Sequence, residues 1–289
     1  MDKKKFEIAK CAICNANNAK LLYEKNGFKI VECRNCKLVY VNPRLSAKTL
    51  KKMYESNALD PFDYLLENAD ADAKTFSRHL DILERYAPKG KLLDVGCAIG
   101  GLLQVAKKRG WDAYGTELTK HASAYCRKNG LKVETGTLQK SRFPGNYFDA
   151  ITFTGSLEHM QNPLREMRLA NKKLKGKGIL LLTVPDIGSL HARLLGKHWL
   201  QLKPEEHIHY FSPETIEKLL NKAGFEVLCT KHIANTRNLK TLITKAGAYS
   251  KTLQKISNAF ISGKKSKDIL ININPFDEML AIARKRKNA

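Results

Sequence analysis

Apolar residues along this chain follow two spacings, and the change from one to the other marks out its parts. In "LSAKTLKKMYES" (45–56) and "FSRHLDILERYA" (76–87) they recur every three or four residues, which predicts helices with one buried face. Pro88, Lys89 and Gly90 predict the stop of the second. From there, short apolar runs alternate with helix-like stretches. Strands are predicted near 91–95, 112–116, 131–134, 148–153, 178–184 and 225–231, with helices between them. That alternation predicts a parallel, doubly wound α/β sheet. "SPETIEKLLNKAGF" carries its own end signals: Ser212 as cap, Pro213 in the first turn and Gly224 at the exit.

The first forty residues read differently. Cys11-x-x-Cys14 and Cys33-x-x-Cys36 stand 18 residues apart, the pattern of a four-thiolate zinc site. The intervening "KLLYEKNGFKIVEC" predicts two short strands joined at Asn26-Gly27, a pair suited to a type I′ turn. Two such knuckles around a hairpin make a zinc ribbon. Redox pairs or disulfides are the competing reading, and a cytoplasmic chain rarely keeps those. Cys97, Cys126 and Cys229 stand alone and read as core residues.

Composition changes the picture only at the margins. The 43% hydrophobic content of 289 residues suffices for a sizeable core. "MDKKKFEIAK" is basic but leads into no apolar segment, and "ILLLTV" (179–184) falls far short of the ~20 residues of a membrane helix. No transmembrane segment is expected, and the cytoplasm is the expected location. The net charge of +23 is uneven: residues 231–289 hold 13 basic and 3 acidic side chains. Such an excess suits nucleic acid, anionic lipid or an acidic substrate, and equally a chain that relies on charge for solubility.

"LLDVGCAIGG" (92–101) carries the candidate chemistry. A strand, a glycine turn and a helix form a nucleotide-type site at the carboxyl edge of a parallel sheet. Glu117 ends the next strand, 21 residues after Gly96, where an acid would accept the hydroxyls of a ribose. A dinucleotide fingerprint can be laid over Gly96, Ala98 and Gly101. Asp94 opposes it, because a carboxylate repels a pyrophosphate and welcomes an ammonium or sulfonium.

At these residues the chain resembles a known family. "LLDVGCAIGGLLQVAKKRGWDAYGTEL" resembles the first two motifs of class I S-adenosylmethionine-dependent methyltransferases. "FPGNYFDAITFTGSLEHMQNPLREMRLANKKLKGKGILLLTVP" is similar to their fourth and fifth strands, and "EEHIHYFSPETIEKLLNKAGFEV" to the approach to their sixth. The resemblance spans residues 8–232, and its nearest subgroup is bacterial methyltransferases with an N-terminal zinc ribbon that modify polysaccharides or small molecules. It implies a Rossmann-like, mostly parallel seven-stranded sheet. It also implies S-adenosylmethionine held by Asp94, Gly96, Ala98, Gly100, Glu117, Leu118, Thr137, Leu138 and Thr154. Ala98 replaces the family's second glycine, and Thr137 stands where an acid often meets the adenine amine. The seventh strand is expected at 278–285. The chain then divides into a ribbon (8–42), a helical linker (43–90) and a methyltransferase domain (91–289) with an insertion at 232–277.

The family's chemistry is attack by an acceptor on a sulfonium methyl, so a general base near the cofactor is sought. His207 and His159 are the candidates, with His209 nearby and Glu158 as a structural acid. Each histidine could equally cap a helix or brace a loop. "FTGS" (153–156) is not the N-P-P-[FYW] tetrapeptide of base N-methylation in this fold, which favours a hydroxyl on a small molecule, sugar or lipid-linked acceptor. An RNA methyltransferase and a non-catalytic cofactor-binding adaptor are the alternatives. In the insertion, apolar residues at 239, 242, 243, 246, 249, 253, 256 and 260 form one helical stripe, and residues 239–267 hold seven lysines and no acid. This is either a helical cover beside the site or a basic surface for an anionic membrane or RNA.

Overall fold

In a computed structural model of the protein, residues 5–55, 62–247 and 269–286 are described. The N-terminal part contains β1 (Phe6–Glu7), β2 (Ala19–Lys25), β3 (Phe28–Cys33), β4 (Val39–Val41) and β5 (Arg44–Leu45). Asn26 and Gly27 turn β2 into β3 at φ of 52° and 77°, both left-handed as a type I′ turn requires. Three helices follow: α1 (Ala47–Glu55), α2 (Phe62–Glu67) and α3 (Ala69–Leu83). The alternating part then runs β6 (Lys91–Val95), α4 (Gly101–Lys108), β7 (Asp112–Glu117), α5 (Lys120–Lys128), β8 (Lys132–Thr135) and β9 (Phe148–Thr154). It continues with α6 (Pro163–Lys173), β10 (Leu174–Pro185), α7 (Leu190–Leu195), β11 (His209–Tyr210), α8 (Pro213–Lys222) and β12 (Phe225–His232). β13 (Asn235–Asn238), α9 (Leu239–Gly247), β14 (Leu270–Ile273) and β15 (Glu278–Lys285) complete it.

Seven strands form one sheet in the order β12-β15-β10-β9-β6-β7-β8. The pairs from β10 through β8 are parallel, whereas β15 lies antiparallel to both β10 and β12. The expected seventh strand therefore enters between the fifth and sixth. Side chains on the strands alternate between two layers. Leu93, Val95, Phe153, Leu180 and Leu182 face the layer that holds Leu219 and Leu220 of α8. Leu92, Leu181 and Ile282 face Leu80 and Leu83 of α3 and Leu103 of α4. Burying both faces is what a parallel sheet needs, and it explains the unbroken apolar runs. α8 starts as its signals predict, with a reciprocal capping box between Ser212 and Thr215.

Two boundaries differ from the expectation. α3 spans Ala69–Leu83, starting before 76 and ending before 87. Its early turns bury Ala71, Thr75 and His79, so small and polar residues replace the apolar stripe. Thr75 is tolerated there because its Oγ1 accepts the Thr236 N–H at 2.9 Å. The 232–277 segment also contains an antiparallel pair, β13 with β14, docked on α3 through Arg237–Asp72 (3.1 Å) and Asn238–Asn68 (3.0 Å). α9 realises the start of the amphipathic stripe, while residues 248–268, which carry the rest of it, lie outside the described residues.

The N-terminal sheet is completed from far away: its order is β11-β4-β3-β2, with His209 opposite Tyr40 and Tyr210 opposite Val39. Lys218 and Lys222 of α8 donate to the carbonyls of Cys36 (3.4 Å) and Ile13 (2.7 Å). Cys11, Cys33 and Leu38 share one apolar cluster with Leu93, Phe148 and Leu219. Among the described residues no helix is long and apolar enough to cross a membrane.

Candidate active site

Parallel strands end at one edge of the sheet, so β6, β7, β8 and β9 deliver Gly96, Glu117, Gly136 and Thr154 to the same edge. The turn after β6 needs left-handed backbone three times: Gly96 at φ 77°, Ala98 at 46° and Gly100 at 79°. Ala98 alone has a Cβ there, at a cost of about 1–2 kcal/mol. A Cβ on Gly96 would stand 3.0 Å from that of Ser156, so the turn also lies tight against the end of β9.

Glu117 holds this turn in place. Its Oε2 accepts the Ala98 N–H at 3.0 Å and its Oε1 accepts the Thr119 N–H at 2.8 Å. Each oxygen keeps a further lone pair, and such acceptors suit a ribose diol. Leu118 beside it is 42% exposed, an apolar surface fitted to a purine face. Thr137 precedes the short 3-10 turn Leu138–Lys140, and Leu138 is buried beneath the cleft. Phe62 of α2 stacks on His121 (ring centroids 4.0 Å apart) and meets Tyr125 edge-on, so α2 covers the start of α5. Asp94 is 1% exposed and accepts from Thr152 Oγ1 at 2.7 Å. Burial, with the neighbouring charge of Glu117 adding to it, pushes its carboxyl up to about 7. A cationic centre in the cleft would offset that cost. The residues present therefore fit S-adenosylmethionine, with a site for the ribose, a surface for the adenine and a carboxylate for the charged end.

Beyond β9, the 3-10 turn Leu157–His159 and the segment leading into β11 bring Glu158, His159 and His207 together, with ligand atoms within 4.8 Å of one another. The imidazoles of His159 and His207 meet edge to face at 4.8 Å. Nδ1 of His159 lies 3.0 Å from the Glu206 carbonyl, and Nδ1 of His207 lies 2.9 Å from that of Gln201. A carbonyl partner requires N–H at Nδ1, which leaves Nε2 of each as a proton acceptor. Burial lowers His159 to about 4 and His207 well below the ordinary range, so both are neutral near pH 7. His209 is equally buried, lowered to about 3, and pairs with Tyr40 in the ribbon sheet. Glu158 is 3% exposed, its Oε2 has no partner, and burial raises it to about 8.

The four ribbon cysteines also converge. Cys11 and Cys36 sulfurs are 3.3 Å apart, those of Cys14 and Cys33 3.5 Å, and all four lie within 4.8 Å. Zn–S bonds of about 2.3 Å in a tetrahedron imply sulfur separations of roughly 3.8 Å, which this cluster brackets. All seven cysteines are free of disulfides.

Several members of the site carry no sequence signal. Thr152 reads as one more strand residue, yet it holds Asp94. Ser156 donates to the Val95 carbonyl at 2.8 Å and braces the glycine turn. Glu158 reads as structural until His207, 49 residues on, is seen against it.

Comparison with known proteins agrees with this geometry. A family model described as "Methyltransferase domain" matches residues 68–230. A ubiquinone biosynthesis O-methyltransferase of Aliivibrio fischeri is 26% identical over 191 residues, which cover 61% of this chain and 74% of that one. An uncharacterized protein of Methanocaldococcus jannaschii is 21% identical over 54% of this chain and 75% of its own length. Among solved structures, a SAM-dependent methyltransferase from Archaeoglobus fulgidus superposes with a TM-score of 0.53 at 17% identity, covering 77% of this chain and 99% of that one. One from Thermotoga maritima gives 0.52 at 18% identity, covering 82% and 98%. With its family match, its sheet order and a cleft fitted to the cofactor, the chain belongs to the methyltransferase-domain family and is a class I S-adenosylmethionine-dependent methyltransferase.

Proposed function

We propose that the protein O-methylates a small-molecule, sugar or lipid-linked hydroxyl. The observation that carries this reading is the His159–His207 pair beside the end of β9. Both imidazoles have Nδ1 committed to a backbone carbonyl, so each presents an acceptor nitrogen. S-adenosylmethionine supplies the electrophilic methyl. Gly96, Ala98, Gly100, Glu117, Leu118, Thr137, Leu138 and Thr154 hold it, and Asp94 faces its cationic part. His159, half-buried at the cleft, takes the proton of the acceptor hydroxyl, and His207 behind it fixes its orientation. The tetrapeptide Phe153–Ser156 and the similarity to an O-methyltransferase both favour oxygen over a ring amine.

Cys11, Cys14, Cys33 and Cys36 bind one structural zinc ion in this reading, and the ribbon (8–42) forms a wall of the acceptor side. Ile208 ties the parts together: its N–H donates to Glu158 and its carbonyl accepts from Val41, each at 3.0 Å.

Calorimetry with S-adenosylmethionine tests the cofactor. Transfer of tritiated methyl to panels of hydroxyl, amine and RNA acceptors tests the rest. Label in hydroxyl compounds, reduced in His159→Ala, is expected. Label only in RNA or amines would refute the O-methylation.

A further inference from the structure

A cavity of about 190 Å³ opens between α3 and the end of β12. Arg78, His79, Ile82, Lys231, His232 and Ile233 line it, and no lining residue is acidic. His232 is committed, with Nε2 2.8 Å from Asp186 Oδ2. The other polar groups are not. His79 is 3% exposed and neither of its ring nitrogens has a hydrogen-bond partner. Arg78 anchors one end of its guanidinium on Thr236 Oγ1 at 2.8 Å, yet its buried Nε has no partner. Lys231 is exposed at the rim.

Unpartnered buried polar atoms are rare, and a cluster of them on one cavity calls for a ligand that satisfies them. Guanidinium Nε and lysine Nζ can only donate, and an imidazole brings one further N–H. Arg78, Lys231 and the nearby Arg237 make the field positive, with Asp72 already paired to Arg237 at 3.1 Å. The occupant must therefore accept several hydrogen bonds and carry negative charge. The volume equals about six water molecules at roughly 30 Å³ each, enough for a phosphate with part of the group that bears it.

Position says what that group belongs to. β12 runs parallel to β10, so its end at His232 lies on the same sheet edge as Gly96 and Thr154. β15 and β10 lie between β12 and β9. Three strand spacings of about 4.8 Å separate the end of β12 from the end of β9.

We propose that this cavity is an oxyanion site, and that it recognises a phosphate or carboxylate carried by the methyl acceptor. The proposal rests on the methyltransferase reading and names the substrate class within it.

The test uses the full chain at low ionic strength, with inorganic phosphate and phenyl phosphate as probes in calorimetry, and S-adenosylmethionine titrated in parallel. Saturable binding of both phosphates is expected, the ester at least as tight as the free ion. Lys231→Glu should weaken both at least tenfold, and His79→Phe likewise, while cofactor affinity is unchanged. Lys231 is exposed, so its variant remains informative if His79→Phe fails to fold. Absent binding, or binding that Lys231→Glu leaves intact, overturns the site. Binding of phosphate but not of its ester overturns its assignment to the acceptor. Failure of cofactor binding alone would instead count against the methyltransferase reading.

Discussion

Replacing Glu117 by glutamine isolates what its carboxylate does for the cofactor turn. Glutamine keeps the shape but has one accepting oxygen and one NH2. Either Ala98 N–H or Thr119 N–H must then face a donor, so one of the two bonds, at 3.0 and 2.8 Å, is lost. A hydrogen bond to a charged group contributes about 1.5–3 kcal/mol, and a buried donor left unpaired costs the same order. Ala98, at φ 46°, would relax toward ordinary backbone once released, and the turn would lose its shape. The ribose acceptor is weakened by the same substitution. Affinity for S-adenosylmethionine should therefore fall by about 1.5–3 kcal/mol, roughly 10- to 150-fold, in calorimetry, with a lowered melting temperature. Ala98→Gly in the Glu117→Gln background removes the left-handed penalty and should recover about 1 kcal/mol of stability without restoring affinity. Unchanged affinity in Glu117→Gln, within twofold, would refute the assignment of this carboxylate to both turn and cofactor.

Further outcomes follow from other parts of the molecule. Elemental analysis of protein purified without chelator should find about one zinc per chain, and Cys33→Ser should abolish it. Because α8 and β11 are bonded to the ribbon, that variant should also raise amide exchange in residues 209–222, beyond the ribbon itself. Gly100→Ala should destabilise by about 2–4 kcal/mol in urea unfolding, because φ is 79° and a Cβ would collide with Leu131. His79, His159, His207 and His209 all have folded pKa values depressed below 6.5, so the unfolded chain gains protons first as pH falls. Their contribution is complete above about pH 6.5 and is lost on acidification toward 4, each group costing up to about 1.4 kcal/mol per pH unit. Urea titrations at pH 6.5, 5.5 and 4.5 should show stability dropping with a net uptake of about two protons, the four histidines less Asp94 and Glu158, which release theirs on unfolding; a flat profile would contradict it. Glu158 works the other way: its folded value, raised to about 8, makes it destabilising as pH climbs above its unfolded value of 4.5. Glu158→Gln should therefore steepen the rise of stability from pH 5 to 6.5 and reduce its fall from pH 6.5 to 8.

The sheet was legible because its strands are buried on both faces. Runs such as Leu92–Val95 and Ile179–Val184 are apolar except for Asp94 and Thr183, and glycine or proline bounds them. The cofactor turn was legible because left-handed backbone demands glycine. β13 and β14 escaped notice because Asn235–Asn238 is polar throughout, and its burial depends on side chains of α3 far away in sequence. The start of α3 escaped for the same reason: Thr75 and His79 occupy a buried face only because partners or a cavity lie opposite. The histidines were found by residue type, but their pairing was not readable. It depends on a loop that returns 48 residues later to lay His207 against His159.

The strand that completes the N-terminal sheet has a consequence for biosynthesis. β4 is made early, but its partner β11 leaves the ribosome only after some 170 further residues. Until then β4 is an open edge bearing Val39, Tyr40 and Val41, the kind of template on which nascent chains pair with each other. Metal can organise the cysteine knuckles early, but it cannot close that edge. Ribbon closure and the seating of the histidine loop are thus one late event, and a chain stalled before residue 209 exposes a sticky strand.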